Sequence, residues 1–121
     1  MEQHMYPSVS KDLAQKRREL APEVYGAFRA FSQRVFADGA LPSKIKELIA
    51  VAVAHVTQCP YCIRGHTELA LKKGASEQEI MEAIWVAAEM RAGGAFAHSL
   101  LAIEVMNEEV HRHAGAQSPA G

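Results

Sequence analysis

The chain has 121 residues, of which 49% are apolar and 22% charged, and its formal net charge is −1. One domain of this size can bury a core without a stabilising disulfide, and the scattered Lys and Arg residues argue against a nucleic-acid partner. Because the sequence contains no export signal and no apolar run long enough to span a bilayer, we expect a cytoplasmic protein with no membrane partner.

The first half of the chain predicts three helices and no strand. The first runs from Ser10 to about Leu20, and the second begins at Pro22, a favoured first helical position, and ends near Ala37. Ser43 begins a third helix, which is apolar on two sides, as is typical of a helix enclosed by neighbours. These features indicate an all-α fold.

Three further helices are predicted in the second half, over residues 59–73, 80–91 and 95–111. Gly74 is the expected stop of the first of these helices. A Ser-x-x-Glu capping box, Ser76 to Glu79, precedes the next one. The pair Gly93-Gly94 is expected to separate that helix from the last. The complete pattern therefore predicts a bundle of about six helices.

Alanine is frequent, with 21 copies in the chain, and several predicted helices are apolar on more than one side. Small side chains allow helices to approach closely, and surplus apolar surface must be buried against something. A homo-oligomer accounts for this surplus, and a compact alanine-packed monomer is the alternative. We expect a single domain over residues 1–121, with a core at about 22–106 and a disordered tail at 112–121.

The two cysteines of the chain occur in the run Cys59-Pro60-Tyr61-Cys62, and His66 follows one turn later on the same helical face. Cysteines at positions i and i+3 can close a disulfide, and a helix N-terminus stabilises the thiolate that redox chemistry needs. In a reducing compartment, such a pair is more typical of catalysis or metal binding than of a structural cross-link.

Glu47 lies on the third predicted helix and begins its second apolar line. A carboxylate close to the cysteines would disfavour a thiolate, so its useful role would be to exchange protons with His66. An ordinary exposed helix charge is the alternative interpretation of Glu47.

The spacing of Glu47, the two cysteines and His66 resembles the signature of the AhpD-like alkylhydroperoxidases of the carboxymuconolactone decarboxylase superfamily. The segments Gly74–Ile80 and Arg91–His98 are also similar to members of this family. The resemblance covers about 22–106 and implies an all-α protein that assembles into trimers or hexamers through helix–helix interfaces.

The resemblance also implies a thiol-dependent peroxidase that reduces organic hydroperoxides or peroxide. Cys62 would attack the peroxide, and Cys59 would resolve the resulting sulfenic acid. Glu47 and His66 would relay protons, and an external dithiol, either a lipoyl protein or a thioredoxin-like protein, would reduce the disulfide. Tyr61 stands where the best-known members carry a second histidine, so a shorter relay is expected. No nucleotide-binding motif occurs, and no cofactor is expected.

Two other interpretations stay open. Cys59, Cys62 and His66 are candidate zinc ligands. The fourth ligand would come from another subunit or from one of His55, His98 and Glu47. The second alternative is a non-peroxidase relative on the same fold, namely a specialised oxidoreductase, a lactone decarboxylase or a binding protein. Decarboxylase members of the superfamily typically lack the cysteine pair, which argues against that activity.

Overall fold

The computed structural model describes residues 5–7 and 10–117. Within these ranges every regular element is an α-helix, which confirms the predicted all-α class. The helices are α1 (Lys11–Leu20), α2 (Pro22–Phe36), α3 (Ser43–Thr57), α4 (Pro60–Lys72) and α5 (Glu77–Gln117). No helix in the described ranges is long and apolar enough to cross a membrane.

Local hydrogen bonds explain where α1 and α3 begin. The Ser10 Oγ atom accepts a hydrogen bond from the N–H of Leu13 at 3.2 Å, which caps α1. The carboxylate of Asp38 accepts a hydrogen bond from the N–H of Ser43 at 2.7 Å, at the start of α3. A negative charge is favourable there because the N–H groups of a helix N-terminus carry partial positive charge.

The end of α4 is stabilised by the glycine that the sequence predicts as its stop. Gly74 has a φ of 94°, a left-handed conformation that side chains disfavour. The N–H of Gly74 donates to the carbonyl oxygen of Leu71, and that of Ala75 donates to Ala70. This pair of hydrogen bonds is the Schellman motif, which satisfies the last carbonyl groups of a helix.

The predicted capping box is present at the start of α5. The N–H of Glu79 donates to Ser76 Oγ at 3.0 Å, and the N–H of Ser76 donates to Glu79 Oε1 at 2.9 Å. Lys44 on α3 forms an ion pair with Glu79 at 2.9 Å. The backbone N–H of Ser76 and the ammonium of Lys44 lower the pKa of Glu79. The first turn of α5 is therefore tied to α3.

The core lies between α3, α4 and the first part of α5. It contains Val51, Ala70, Ala75 and Ile80, with Leu48 and Ile84 packed against them. The central helix is α3, which contacts α4 on one side and α5 on the other. This packing buries one apolar line of α3, whereas the line that contains Ile49 and Val53 stays 47% and 52% exposed, so helices of the same chain cover only one of its two apolar sides.

The prediction of about six helices is wrong at one position, because α5 runs continuously through Gly93 and Gly94. Each glycine costs a helix about 1 kcal/mol relative to alanine. Strong helix formers such as alanine lie on both sides of the pair and sustain the helix. The helix also passes its predicted end at His111 and reaches Gln117, while residues 118–121 of the expected tail lie outside the described residues.

Large apolar side chains remain exposed on α2 and on the second half of α5. Neither α1 nor α2 contains a buried residue. Phe28 and Phe31 on α2 are 63% and 64% exposed, and Phe96 on α5 is 81% exposed. The chain exposes 10107 Å² in total, whereas a compact monomer of 13.2 kDa would expose about 6,400 Å².

Candidate functional site

A tight turn after α3 places the first cysteine against the end of that helix. Gln58 adopts a left-handed conformation, with a φ of 56° and a ψ of 48°. The N–H of Cys59 then donates to the carbonyl oxygen of Ala54 at 3.1 Å. Pro60 occupies the first position of α4, where its missing N–H costs nothing.

Cys59 and Cys62 form a disulfide, with their Cα atoms 5.3 Å apart. The predicted pairing is therefore present, and its reversibility stays a prediction. Cys59 is also the N-cap of α4, and its Sγ atom accepts a hydrogen bond from the N–H of Cys62 at 3.3 Å. This donor and the helix N-terminus would stabilise a Cys59 thiolate once the disulfide is reduced.

Glu47 and His66 form a hydrogen-bonded pair between α3 and α4. The distance from Glu47 Oε2 to His66 Nδ1 is 2.7 Å. The Glu47 side chain is 4% exposed, so the alternative interpretation as an exposed helix charge is wrong. The carboxylate oxygen accepts this hydrogen bond and Nδ1–H of His66 donates it, which leaves Nε2 as the ring nitrogen for any exchange of a proton with another group.

The imidazole of His66 is also stacked on an aromatic ring from α2. The centroids of Phe36 and His66 lie 5.0 Å apart, with an angle of 27° between the planes. The sequence gives no sign of this role for Phe36, because an aromatic residue at a helix end is typical of an ordinary packing residue. Phe36 and Glu47 together fix both the position and the plane of the imidazole.

A pocket of about 420 Å³ opens between α2, α3 and α4 beside this pair. Most of its wall is apolar and includes Ile49 and Val53 of α3. Cys62 and His66 line the pocket as well, but Cys59 does not. A molecule in the pocket would therefore meet Cys62 and not Cys59.

Tyr61 lies on the exposed side of α4, and the structure does not bring it to the Glu47–His66 pair. Its hydroxyl donates to the carbonyl oxygen of Pro7 at 2.9 Å. The ring of Tyr6 packs edge-on against Tyr61, with centroids 6.0 Å apart. Tyr61 therefore holds Tyr6 and Pro7 against α4.

The histidines considered as further zinc ligands lie elsewhere. His55 Nδ1 is 2.7 Å from the carbonyl oxygen of Val51, to which it donates within α3. His98 is exposed on α5. Over residues 5–7 and 10–117, no group of three or more His, Cys, Asp or Glu side chains is arranged to hold a metal ion.

Comparison with known proteins identifies the family. The family model described as "Carboxymuconolactone decarboxylase family" matches residues 22–105. A relative from Paracoccus denitrificans, described as uncharacterized protein 4 in the cox locus, is 56% identical over 102 residues. The match covers 84% of this chain and 91% of that protein.

Two solved structures of family members share the fold. A carboxymuconolactone decarboxylase family protein from Legionella pneumophila, in its apo form, is 35% identical with a TM-score of 0.64, over 80% of this chain and 87% of that chain. A family protein from Thermotoga maritima, described as having a possible part in an antioxidative response, is 29% identical with a TM-score of 0.50. That match covers 66% of this chain and 92% of the other. The chain therefore belongs to the carboxymuconolactone decarboxylase family, which confirms the AhpD-like resemblance of its sequence.

Proposed function

We propose that the protein is a thiol-dependent peroxidase that reduces organic hydroperoxides or hydrogen peroxide through a dithiol–disulfide cycle of Cys59 and Cys62. One observation carries this proposal: Cys62 lines an apolar pocket together with His66, whose ring is held by the buried Glu47. A nucleophile, a proton-transfer pair and a space for an apolar substrate thus meet at one place. The description of the Thermotoga maritima relative supports the same conclusion.

In the first step, His66 Nε2 accepts the thiol proton of Cys62, and the thiolate attacks the terminal oxygen of the hydroperoxide. A sulfur–oxygen bond forms, the oxygen–oxygen bond breaks, and the alkoxide leaves as an alcohol after taking the proton from His66. Cys62 becomes a sulfenic acid. Glu47 stabilises the positive charge that His66 carries between the two proton transfers.

In the second step, the Cys59 thiolate attacks the sulfenic sulfur of Cys62. The disulfide forms, the sulfur–oxygen bond breaks, and the oxygen leaves as water after taking one proton. The N–H of Cys62, which donates to Cys59 Sγ at 3.3 Å, favours the thiolate form of Cys59 that this step needs. An external dithiol then reduces the disulfide by two exchange reactions and is itself oxidised to a disulfide.

A single-turnover experiment tests this cycle. The reduced protein is freed of excess reductant, kept under argon and mixed with one equivalent of cumene hydroperoxide. We expect one equivalent of alcohol per subunit, with the loss of both thiols. Cys59→Ser/Cys62→Ser is the control for uncatalysed loss of peroxide. Unconsumed peroxide with both thiols intact would refute the peroxidase.

The reductant is tested by multiple-turnover assays with dihydrolipoamide, with a lipoyl protein and with thioredoxin. We propose one of these dithiol classes because the cycle ends in a disulfide that a second disulfide-forming pair can reduce. The expected result is continuous alcohol formation with at least one of them. Single turnover without any restored activity would exclude both dithiol classes as donors.

The same proposal includes assembly into a homotrimer or into a homohexamer built from two trimers. The chain exposes far more surface than a compact monomer of its mass, and the excess includes Phe28, Phe31 and Phe96. Apolar surface of this extent is buried in stable assemblies, since its removal from water is worth about 25 cal/mol per Å². Light scattering over a dilution series measures the oligomeric state directly. A stable monomer at micromolar concentration would contradict assembly.

A further inference from the structure

The pocket beside Cys62 contains a feature that the peroxidase proposal leaves without a role. Lys46, on α3, lines the pocket together with the apolar residues and His66. His66 already has a carboxylate partner in Glu47. Lys46 is therefore a cationic residue on the wall of an otherwise apolar pocket, and no carboxylate in the described part of the chain pairs with it.

The ammonium of Lys46 is held in place by the backbone and has no ion-pair partner in the described part of the chain. Its Nζ atom donates to the carbonyl oxygen of Ala37 at 2.6 Å. Lys44 and Lys72, by contrast, are paired with Glu79 and Glu68. An ammonium group has three donors, so the Lys46 ammonium keeps two donors for another acceptor.

The packing of α3 against α4 sets how far apart Lys46 and Cys62 lie along the helix axis. Along α3, Ala54 contacts the backbone of Cys59 and Glu47 contacts His66, so the two helices run antiparallel. Cys62 lies between these two contacts. It is therefore about one to two helical turns, or about 5–11 Å, from the level of Lys46 along the axis of α3.

We propose that Lys46 binds the carboxylate of an apolar hydroperoxy acid whose hydroperoxide end lies at Cys62. The apolar wall accommodates the alkyl chain, and the ammonium selects the substrate with an anionic head group over a neutral one. The reaction rests on the peroxidase proposed above and releases the hydroxy acid in place of a simple alcohol. Binding of the acid does not depend on that reaction.

Two substrates that differ only in the head group test whether Lys46 selects a carboxylate. The second-order rate constant kcat/KM is measured for ω-hydroperoxydecanoic acid and for its methyl ester, and the ratio of the two values is compared between variants. We expect Lys46→Met to lower the acid-to-ester ratio about five- to tenfold, as is typical for the loss of a partly exposed charge-assisted hydrogen bond. Lys46→Arg keeps the charge and is expected to keep the preference.

Lys44→Met is the matched control, because it removes the same charge from the same helix outside the pocket. The ratio in this variant is expected to equal that of the wild type. High salt is expected to weaken the preference of the wild type, because salt screens an exposed ion pair. A ratio that is unchanged in Lys46→Met, or that falls equally in Lys44→Met, would overturn the assignment.

A binding experiment separates this proposal from the peroxidase itself. Isothermal titration of the disulfide form with decanoate and with decanol measures head-group selection without turnover. We expect tighter binding of decanoate by the wild type and loss of that preference in Lys46→Met. Equal binding of both ligands, or binding of neither, would overturn the role of Lys46. A preference for decanoate that depends on Lys46, without any consumption of peroxide, would support the binding role of Lys46 and refute the proposed peroxidase activity.

Discussion

The α3–α4 pair and helix α2 differ in how far apolar residues at helical spacing are buried. Both α2 and α3 carry apolar residues at helical spacing. On α3 one line of this pattern leads to a fully buried Val51 between α4 and α5, whereas on α2 the pattern leaves Phe28 and Phe31 mostly exposed. Periodicity therefore predicts that a helix has an apolar face but does not identify what will cover it.

The candidate site lies where these two regions meet. Glu47 and His66 belong to the enclosed pair of helices, while Phe36, which is stacked on His66, comes from the end of α2. Helix α2 touches α3 at only a few positions. Burial of the exposed face of α2 in an assembly would therefore also hold one wall of the pocket in place.

The largest expected effect is in the enclosed region, at the sulfur that lines the pocket. Cys62→Ser should abolish peroxide turnover, because a hydroxyl group does not replace the thiolate as a nucleophile toward peroxide. Cys59→Ser should still consume one equivalent and then accumulate a sulfenic acid at Cys62. Trapping with dimedone followed by mass spectrometry identifies the modified residue. Labelling at position 59 in Cys62→Ser would reverse the two assignments.

The next effect concerns the buried carboxylate. Glu47→Gln keeps the size of the side chain but removes the negative charge that stabilises protonated His66, so proton transfer by His66 should fail and turnover should fall about 10²-fold, in the range for loss of general acid–base catalysis. Stopped-flow rates with cumene hydroperoxide measure the change. Glu68→Gln, an exposed change on α4, is the control. Unchanged or faster turnover in Glu47→Gln would show that the carboxylate does not support proton transfer by His66.

A pair of valine substitutions sharpens the comparison between the two regions. Val51→Ala removes two methyl groups from a fully buried side chain, so the free energy of unfolding should fall by about 2 kcal/mol at every protein concentration. Val24 is 72% exposed in the single chain. If α2 is covered by another subunit, Val24→Ala should cost stability only at concentrations at which the assembly forms.

Urea unfolding of both variants at several protein concentrations measures these effects. Either of two results would contradict this comparison between the buried line of α3 and a helix α2 that another copy covers. Val51→Ala would have almost no effect, or Val24→Ala would have the same effect on stability at all concentrations.

The smallest effect is expected at the exposed contact between α3 and α5. The backbone N–H of Ser76 and the ammonium of Lys44 hold the pKa of Glu79 below its usual value. A carboxyl group whose pKa is lower in the folded state stabilises the protein above its unfolded pKa, and this contribution is lost as the pH falls through the folded pKa. Glu79→Gln should therefore lower Tm at neutral pH, and the difference should shrink below about pH 4.

Thermal unfolding over a pH series measures this change. Glu82→Gln, on the exposed side of the same helix, is the control for the loss of a carboxylate outside the capping box. A difference in Tm between Glu79→Gln and the wild type that stays constant from neutral to acidic pH would contradict the proposed contribution of the ionised capping box.

The sequence alone predicted the features that depend on near neighbours in the chain. The starts of α1 and α4, the capping box of α5 and the stop at Gly74 rest on contacts within a few residues. The spacing of the two cysteines likewise predicts their pairing, because bridging needs only the geometry of one helical turn. The break expected at Gly93-Gly94 did not occur, because neighbouring helix formers outweighed the cost of two glycines.

The tertiary structure decided which side chains meet across different helices. From the sequence, Glu47 could be an exposed charge or a site residue, and only the packing of α3 against α4 buries it and joins it to His66. Phe36 and Lys46 gave no signal of their own, because their roles depend on where α2 ends relative to the pocket. Local patterns fix helices and their ends, whereas the surroundings of a side chain depend on residues far away in the chain.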